Sequence, residues 1–229
     1  MSHPSSVADL VKFEPVKQQS LSDAVLADLR RAIVNGKLIS GEHLIETDLA
    51  NQFHVSRAVM RQAIRELSFE GLVEIRPRRG AVVTRMSSAV ARDVCTVRGL
   101  LEGWAGRSAC RTLTEADRRR MRSICEEMAE CLAAGDVYGV VTLDIEFHSF
   151  ICESDPNRRL LTFWSSLNAS HGALISSRLE HHKYAPAVFA GLHYEIHDVL
   201  ARGNPDEAER AIRLHYMGTD WSDDQPREE

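Results

Sequence analysis

Asp144 and His148 lie one helical turn apart in the stretch LDIEFHSFI, residues 143–151. That spacing lets a carboxylate and an imidazole on one helix reach a single metal ion. Gly139 is the only glycine or proline between Asp136 and Glu153, so the stretch reads as a helix. Its apolar stripe of Val137, Val140, Val141, Ile151 and Cys152 runs straight through both polar residues. An aspartate and a histidine turned toward a core are costly unless something pairs with them. The same anomaly recurs twice further on. His193 falls within the stripe Phe189, Leu192, Ile196 and Leu200, and His215 follows Ala208, Ala211 and Ile212. A single histidine on such a stripe is more often a hydrogen-bonded core residue than a ligand. Three of them with one aspartate predict a divalent transition metal held between helices, with zinc, nickel or manganese all chemically admissible.

The elements that must position these groups are helical. From Ser87 onward no strand-like alternation occurs. The pattern predicts helices over about 89–110, 115–134, 137–153, 157–179, 186–201 and 205–217. Thr114 before "EAD", Asp136 after Gly135 and "SDPN" before Arg158 mark the boundaries, Asn204 stands as a cap, and Pro205 occupies a first turn. Residues 87–222 therefore read as an all-α bundle of six to seven helices, followed by a polar tail at 223–229.

Residues 20–86 have a different logic, behind an N-terminal arm at 1–19. A first helix runs over about 21–35. A short helix at 46–53, a turn at "HV" and a second helix capped by Ser56 and closed by Gly71 form a helix-turn-helix. Val59, Ala63 and Leu67 or Ile64 face its core, while Arg57, Arg61 and Arg65 recur at i+4 on the other side. Two short strands follow, Leu72–Arg76 and Ala81–Arg85. The turn between them carries Arg78, Arg79 and Gly80, a basic wing able to reach phosphates or the minor groove. The fold class is thus mainly α, with a winged helix-turn-helix followed by a helical bundle.

Charge is distributed accordingly. The chain carries −5 overall, yet the part up to Met86 is at +2 and the remainder at −7. Within His54–Arg85 there are 7 Lys and Arg against 3 Asp and Glu, so the positive charge concentrates on the proposed DNA-facing elements. No apolar run approaches the roughly 18 residues of a membrane helix, and no secretory signal opens the chain. Five cysteines without a CxxC pair fit reduced, mostly buried thiols, and a cytoplasmic location is expected.

The stretch LANQFHVSRAVMRQAIRELSFEGLVEIRPRRGAVV resembles the DNA-binding module of the GntR superfamily of bacterial transcription regulators. The usual form there is close to LA-x-x-L-x-V-S-R-T-P-V-R-E-A-L-x-x-L-x-x-E-G-L-V before a basic wing. The resemblance implies base and phosphate contacts from Arg57 and Arg61 and wing contacts around Arg79 and Gly80. Ala58-Val59-Met60 departs from the usual Thr-Pro-Val, and Thr47 stands where some members carry a DNA-contacting arginine. The operator sequence therefore does not transfer. In the second half, the D-x-x-x-H helix, "GLHYEIHDVL", "A-x-x-A-I-R-x-H", "VRGLLEGWAGRSA" and "DPNRRL" are similar to the FCD ligand-binding domain of one GntR branch. In its metal-binding members, the positions matching Asp144, His148, His193 and His215 hold the ion.

The expected function is a ligand-responsive, DNA-binding transcription regulator, a repressor by expectation. It would act as a homodimer on an inverted-repeat DNA operator and answer to a small organic or sugar acid. Arg98 is positioned either to pair the acid's carboxylate or to bridge Glu102 at i+4. A metal-dependent hydrolase is the alternative from another class, but no further acid or base accompanies the four ligands. An ion that is purely structural, or itself the signal, is the third reading.

Overall fold

The computed structural model describes residues 21–76, 80–85, 87–180 and 186–217. The first third folds as expected. Helix α1 (Leu21–Val34) packs on α3 (Arg57–Phe69), and α2 (Glu46–Gln52) leads into α3 through a turn in which His54 takes φ +53°. The Ser56 hydroxyl accepts from the Val59 amide at 3.2 Å and caps α3. Met60, Ala63, Ile64 and Leu67 are buried together with Val25, Leu29 and Ile33. Met60 thus takes a core position that the sequence pattern assigned to Val59, which is only partly buried.

The wing is a three-stranded antiparallel sheet, one strand more than the sequence predicted. Strand β1 (His43–Leu44) pairs with β3 (Gly80–Val83), which pairs in turn with β2 (Val73–Arg76). Two residues are too short for a period-2 signal. The register of β2 with β3 ends at Arg76↔Gly80, and the predicted wing residues Arg78 and Arg79 lie outside the described residues. Gly80 holds φ +79°, a conformation that favours glycine.

Seven helices form the remainder among the described residues: α4 (Ser88–Thr112), α5 (Glu115–Ala134), α6 (Val137–Glu153), α7 (Arg158–Ser166), α8 (Asn168–Glu180), α9 (Pro186–Ala201) and α10 (Pro205–Met217). The helix expected over 157–179 is two helices, broken at Leu167. Apolar spacing alone does not reveal that break, because no glycine or proline marks it. The capping box of Thr114 with Asp117, the left-handed Gly135 (φ +70°) and the Asn204 cap all match the sequence.

Two packing features position the site. Gly99, Gly103 and Gly106 line the α4 face against α10, where a Cβ at Gly103 would lie 2.8 Å from Arg213 Cγ and one at Gly106 would collide with Ile212. This glycine stripe lets α10 approach closely enough to bring His215 and Tyr216 inward. Helix α8 is buried on opposite sides. Its Ala169 and Ala173 join the core of the winged module, while Leu174 and Ile175 belong to the bundle core. With polar residues such as Ser170, His171 and Ser176 buried alongside its apolar ones, it offers no single apolar stripe, as expected of a helix sandwiched between layers.

Candidate metal and effector site

The four predicted ligands come together between α6, α9 and α10. The side-chain nitrogens of His148, His193 and His215 all lie within 4.8 Å of one another. Their ring centroids are 5.1–5.4 Å apart. Asp144 adjoins two of them, with Oδ1 3.0 Å from His193 Nε2 and 3.9 Å from His148 Nε2. The hydrogen-bonding pattern aims these groups inward. His193 Nδ1 is 2.9 Å from the Phe189 carbonyl and donates to it, which leaves Nε2 facing Asp144. His148 Nδ1 lies 2.6 Å from Glu102 Oε2, an orientation that directs its Nε2 toward the cluster.

The donor set fits a divalent ion. Asp144 and His148 are 1% and 0% exposed. Asp144 Oδ2 and His148 Nε2 are buried with no hydrogen-bond partner among the described residues. Such atoms are costly unless something else satisfies them. Three imidazole nitrogens and a carboxylate oxygen suit a first-row transition metal.

The electrostatics favour ligand forms. Burial pushes the Asp144 carboxyl up, but the adjoining His171 and His193 and the nearby His148 outweigh it and hold the pKa well below the usual carboxylate range. Burial, followed by the charges of His193 and His148, drives His215 well below an ordinary histidine. Its ring is therefore neutral at neutral pH and able to ligate.

Two residues take roles in the site that residue spacing does not assign to them. His171 on α8 places Nδ1 3.4 Å from Asp144 Oδ2, and burial followed by the Arg98 charge lowers its pKa to about 4. Its helix lacks a stripe, so nothing singled it out. Glu102 was considered only as a partner of Arg98, yet it is the hub of a buried network. It receives Tyr216 Oη at 2.7 Å and the Trp164 indole, and it touches both His148 and Arg98. Burial raises its pKa, but His148 and Arg98 overcome this and bring it down to about 2.

Arg98 takes the second of its two predicted roles. It is 0% exposed, with Nη2 2.9 Å from Glu102 Oε1, Nη1 donating to Asn168 Oδ1 at 2.7 Å and Nε donating to Tyr216 Oη at 3.2 Å. Its guanidinium is consumed by the fold. His197 turns away from the cluster toward Asp198, 3.0 Å distant.

A cavity adjoins the cluster, with Asp144, His171 and His215 on its wall. Helix α8 connects this wall to the DNA-facing module. The Ser170 hydroxyl, next to His171, donates to the carbonyl of Glu70, the C-cap of α3, and Arg30 Nε donates to the Glu70 carboxylate at 2.8 Å.

On α3, Arg57 and Arg65 are exposed, and Arg61 pairs with Glu46 of α2 at 2.9 Å. Arg61 and Arg65 line the groove between α3 and the wing, together with Gly80. A capped, arginine-bearing second helix beside a β-wing defines a DNA-binding transcription regulator. Residues 21–83 match the family described as bacterial regulatory proteins, gntR family, and residues 93–217 match the FCD domain. The chain belongs to the GntR family of bacterial regulators, in the branch that carries an FCD domain, and is not an enzyme.

Its relatives are regulators as well. The HTH-type transcriptional repressor RspR of Escherichia coli K12 is 26% identical over 216 residues, covering 94% of this chain and 92% of that protein. A probable D-xylose utilization operon transcriptional repressor of Paenarthrobacter nicotinovorans is 28% identical over 183 residues, 80% of each chain. Among solved structures, a GntR regulator of Rhodococcus sp. RHA1 superposes with a TM-score of 0.72 at 24% identity, covering 87% of this chain and 95% of that one. That likeness supports the fold. No helix among the described residues is long and apolar enough to cross a membrane.

Proposed function

We propose that this regulator is a cytoplasmic homodimeric repressor whose bundle holds one divalent transition metal on Asp144, His148, His193 and His215. A small carboxylate effector, bound beside the ion, controls its grip on an inverted-repeat operator. The observation that carries the reading is the convergence of three imidazoles within 4.8 Å beside a buried aspartate. The bound ion would supply open coordination positions for an anionic group. The role of repressor is taken from the names of RspR and the D-xylose operon regulator.

Val97, Leu100 and Trp104 form an exposed apolar stripe on α4, 44–57% exposed at i, i+3, i+7 spacing. This stripe is the face we assign to the partner copy, and sedimentation of a Trp104→Glu variant checks it, a monomer being expected. Ser170 on α8 supplies the path from cavity to recognition helix, because a shift of α8 must move the Glu70 end of α3.

The reading is tested by melting zinc-loaded and chelator-stripped protein against a panel of organic acids. Stabilisation by an acid is expected in the zinc-loaded protein alone. The same stabilisation after stripping would remove the ion from the effector response. Because protons compete with the metal for imidazole, zinc content should fall on acidification, and with His215 held well below the ordinary histidine value of about 6.5 the loss should come below that pH.

A further inference from the structure

Three consecutive residues of α8 each meet a different part of the molecule. The Ser170 hydroxyl donates to the carbonyl of Glu70 at the end of α3. His171 turns its Nδ1 toward Asp144 Oδ2, 3.4 Å away. Gly172 lies against α6, where a Cβ would come within 2.7 Å of Val141 Cγ1. The glycine lets α8 close on α6, and that approach brings the imidazole to the carboxylate.

The two oxygens of Asp144 face different groups. Oδ1 lies 3.0 Å from His193 Nε2 and 3.9 Å from His148 Nε2, on the side of the imidazole cluster. Oδ2 is buried without a hydrogen-bond partner among the described residues, and so is His171 Nδ1 on a side chain only 6% exposed. Each atom is costly alone, yet one accepts and the other can donate, so a small approach satisfies both. A carboxylate held from behind presents its remaining oxygen in a fixed direction, which is how partners outside a metal's own ligands tune its binding.

We propose that His171 is a positioning residue of the metal site: its Nδ1–H holds Asp144 Oδ2 so that Oδ1 is presented to the ion, and the same bond ties occupancy of the site to α8 and, through Ser170, to the end of the recognition helix. This rests on the metal reading above and adds its means of regulation. With Oδ1 engaged by an ion the carboxylate cannot turn, and α8 then cannot shift along α6 without breaking the bond from His171. The residue is not itself a ligand here, since it meets the site only through the far oxygen of Asp144.

The test compares the full-length chain with its His171→Leu and His171→Asn variants. Zinc affinity is read by competition with a chromophoric chelator, and operator affinity by anisotropy of zinc-saturated and stripped protein. The asparagine amide keeps an N–H near the place of Nδ1, whereas leucine keeps only bulk. His171→Leu is expected to bind zinc about 10–100-fold more weakly, and His171→Asn to recover most of that loss. Operator affinity of wild type should differ at least about fivefold between its zinc-saturated and stripped forms, and this difference should vanish in His171→Leu. If His171→Leu fails to fold, His171→Gln, whose amide reaches past the Nδ1 position, takes its place with the same expectation. Wild-type zinc affinity in folded His171→Leu would overturn the positioning role while leaving the metal site intact. His171→Asn as weak as His171→Leu would show that the imidazole ring itself is required, and would overturn that role as well. Equal operator affinity of the two wild-type forms, or an undiminished difference in His171→Leu, would overturn the link to α3. Absence of zinc binding by wild type would remove the metal reading and the inference with it.

Discussion

Replacing Arg57 and Arg61 together with alanine is expected to lower affinity for the operator by two orders of magnitude or more. Arginine makes bidentate contacts to guanine in the major groove, each worth about 1–3 kcal/mol of discrimination. Arg57 opens α3 directly after the Ser56 cap, and Arg61 lies one turn on. Arg61 must leave Glu46 to reach a base. That exchange costs little, since an exposed ion pair is worth at most about 1 kcal/mol. Fluorescence anisotropy on an operator duplex at fixed salt measures the effect. The single variants should each relax preference at one base pair, and operator binding by the double variant at wild-type strength would sink the assignment of α3 as the recognition helix. Wing substitutions at Arg78 or Arg79 should act differently, weakening all sequences together and flattening the salt dependence.

Glu102→Ala should be the most damaging single substitution in the bundle. It removes the counter-charge of a fully buried arginine and leaves Tyr216, Trp164 and His148 without their shared acceptor. Breaking a buried pair from one side typically costs about 3–5 kcal/mol, because the surviving charge stays desolvated. Urea denaturation of stripped protein reads this cost independently of any ion. A midpoint matching wild type would show that the network carries no such load. In protein that still folds, the loss of Glu102 should also weaken zinc about 10–100-fold, since His148 would no longer be oriented through its Nδ1.

Much of this molecule was legible from residue types and spacing. The cap, turn and closing glycine around α3, the arginine row and the basic hairpin announced the winged module, because each rests on local backbone chemistry. The polar interruptions at Asp144, His148, His193 and His215 were legible for a similar reason: helical periodicity predicts burial, and buried polar groups need partners. The missing parts all depend on tertiary approach. His171 sits on a helix buried on two sides, where no contrast between faces exists to mark it. Glu102 becomes a hub only once Trp164 and Tyr216 arrive from α7 and α10. Arg98 could have faced a ligand or Glu102, and the close packing of α10 against the α4 glycines seals it within the fold.

The measurement that bears most directly on the central claim is the metal content of the purified full-length chain. Wild type and a His148→Ala, His193→Ala variant would be exposed to zinc, dialysed and analysed for metal per folded chain. We expect about one equivalent in wild type and essentially none in the variant, since loss of two nitrogen donors leaves too few to hold an ion. Equal content in the two proteins, or none in wild type, would contradict it.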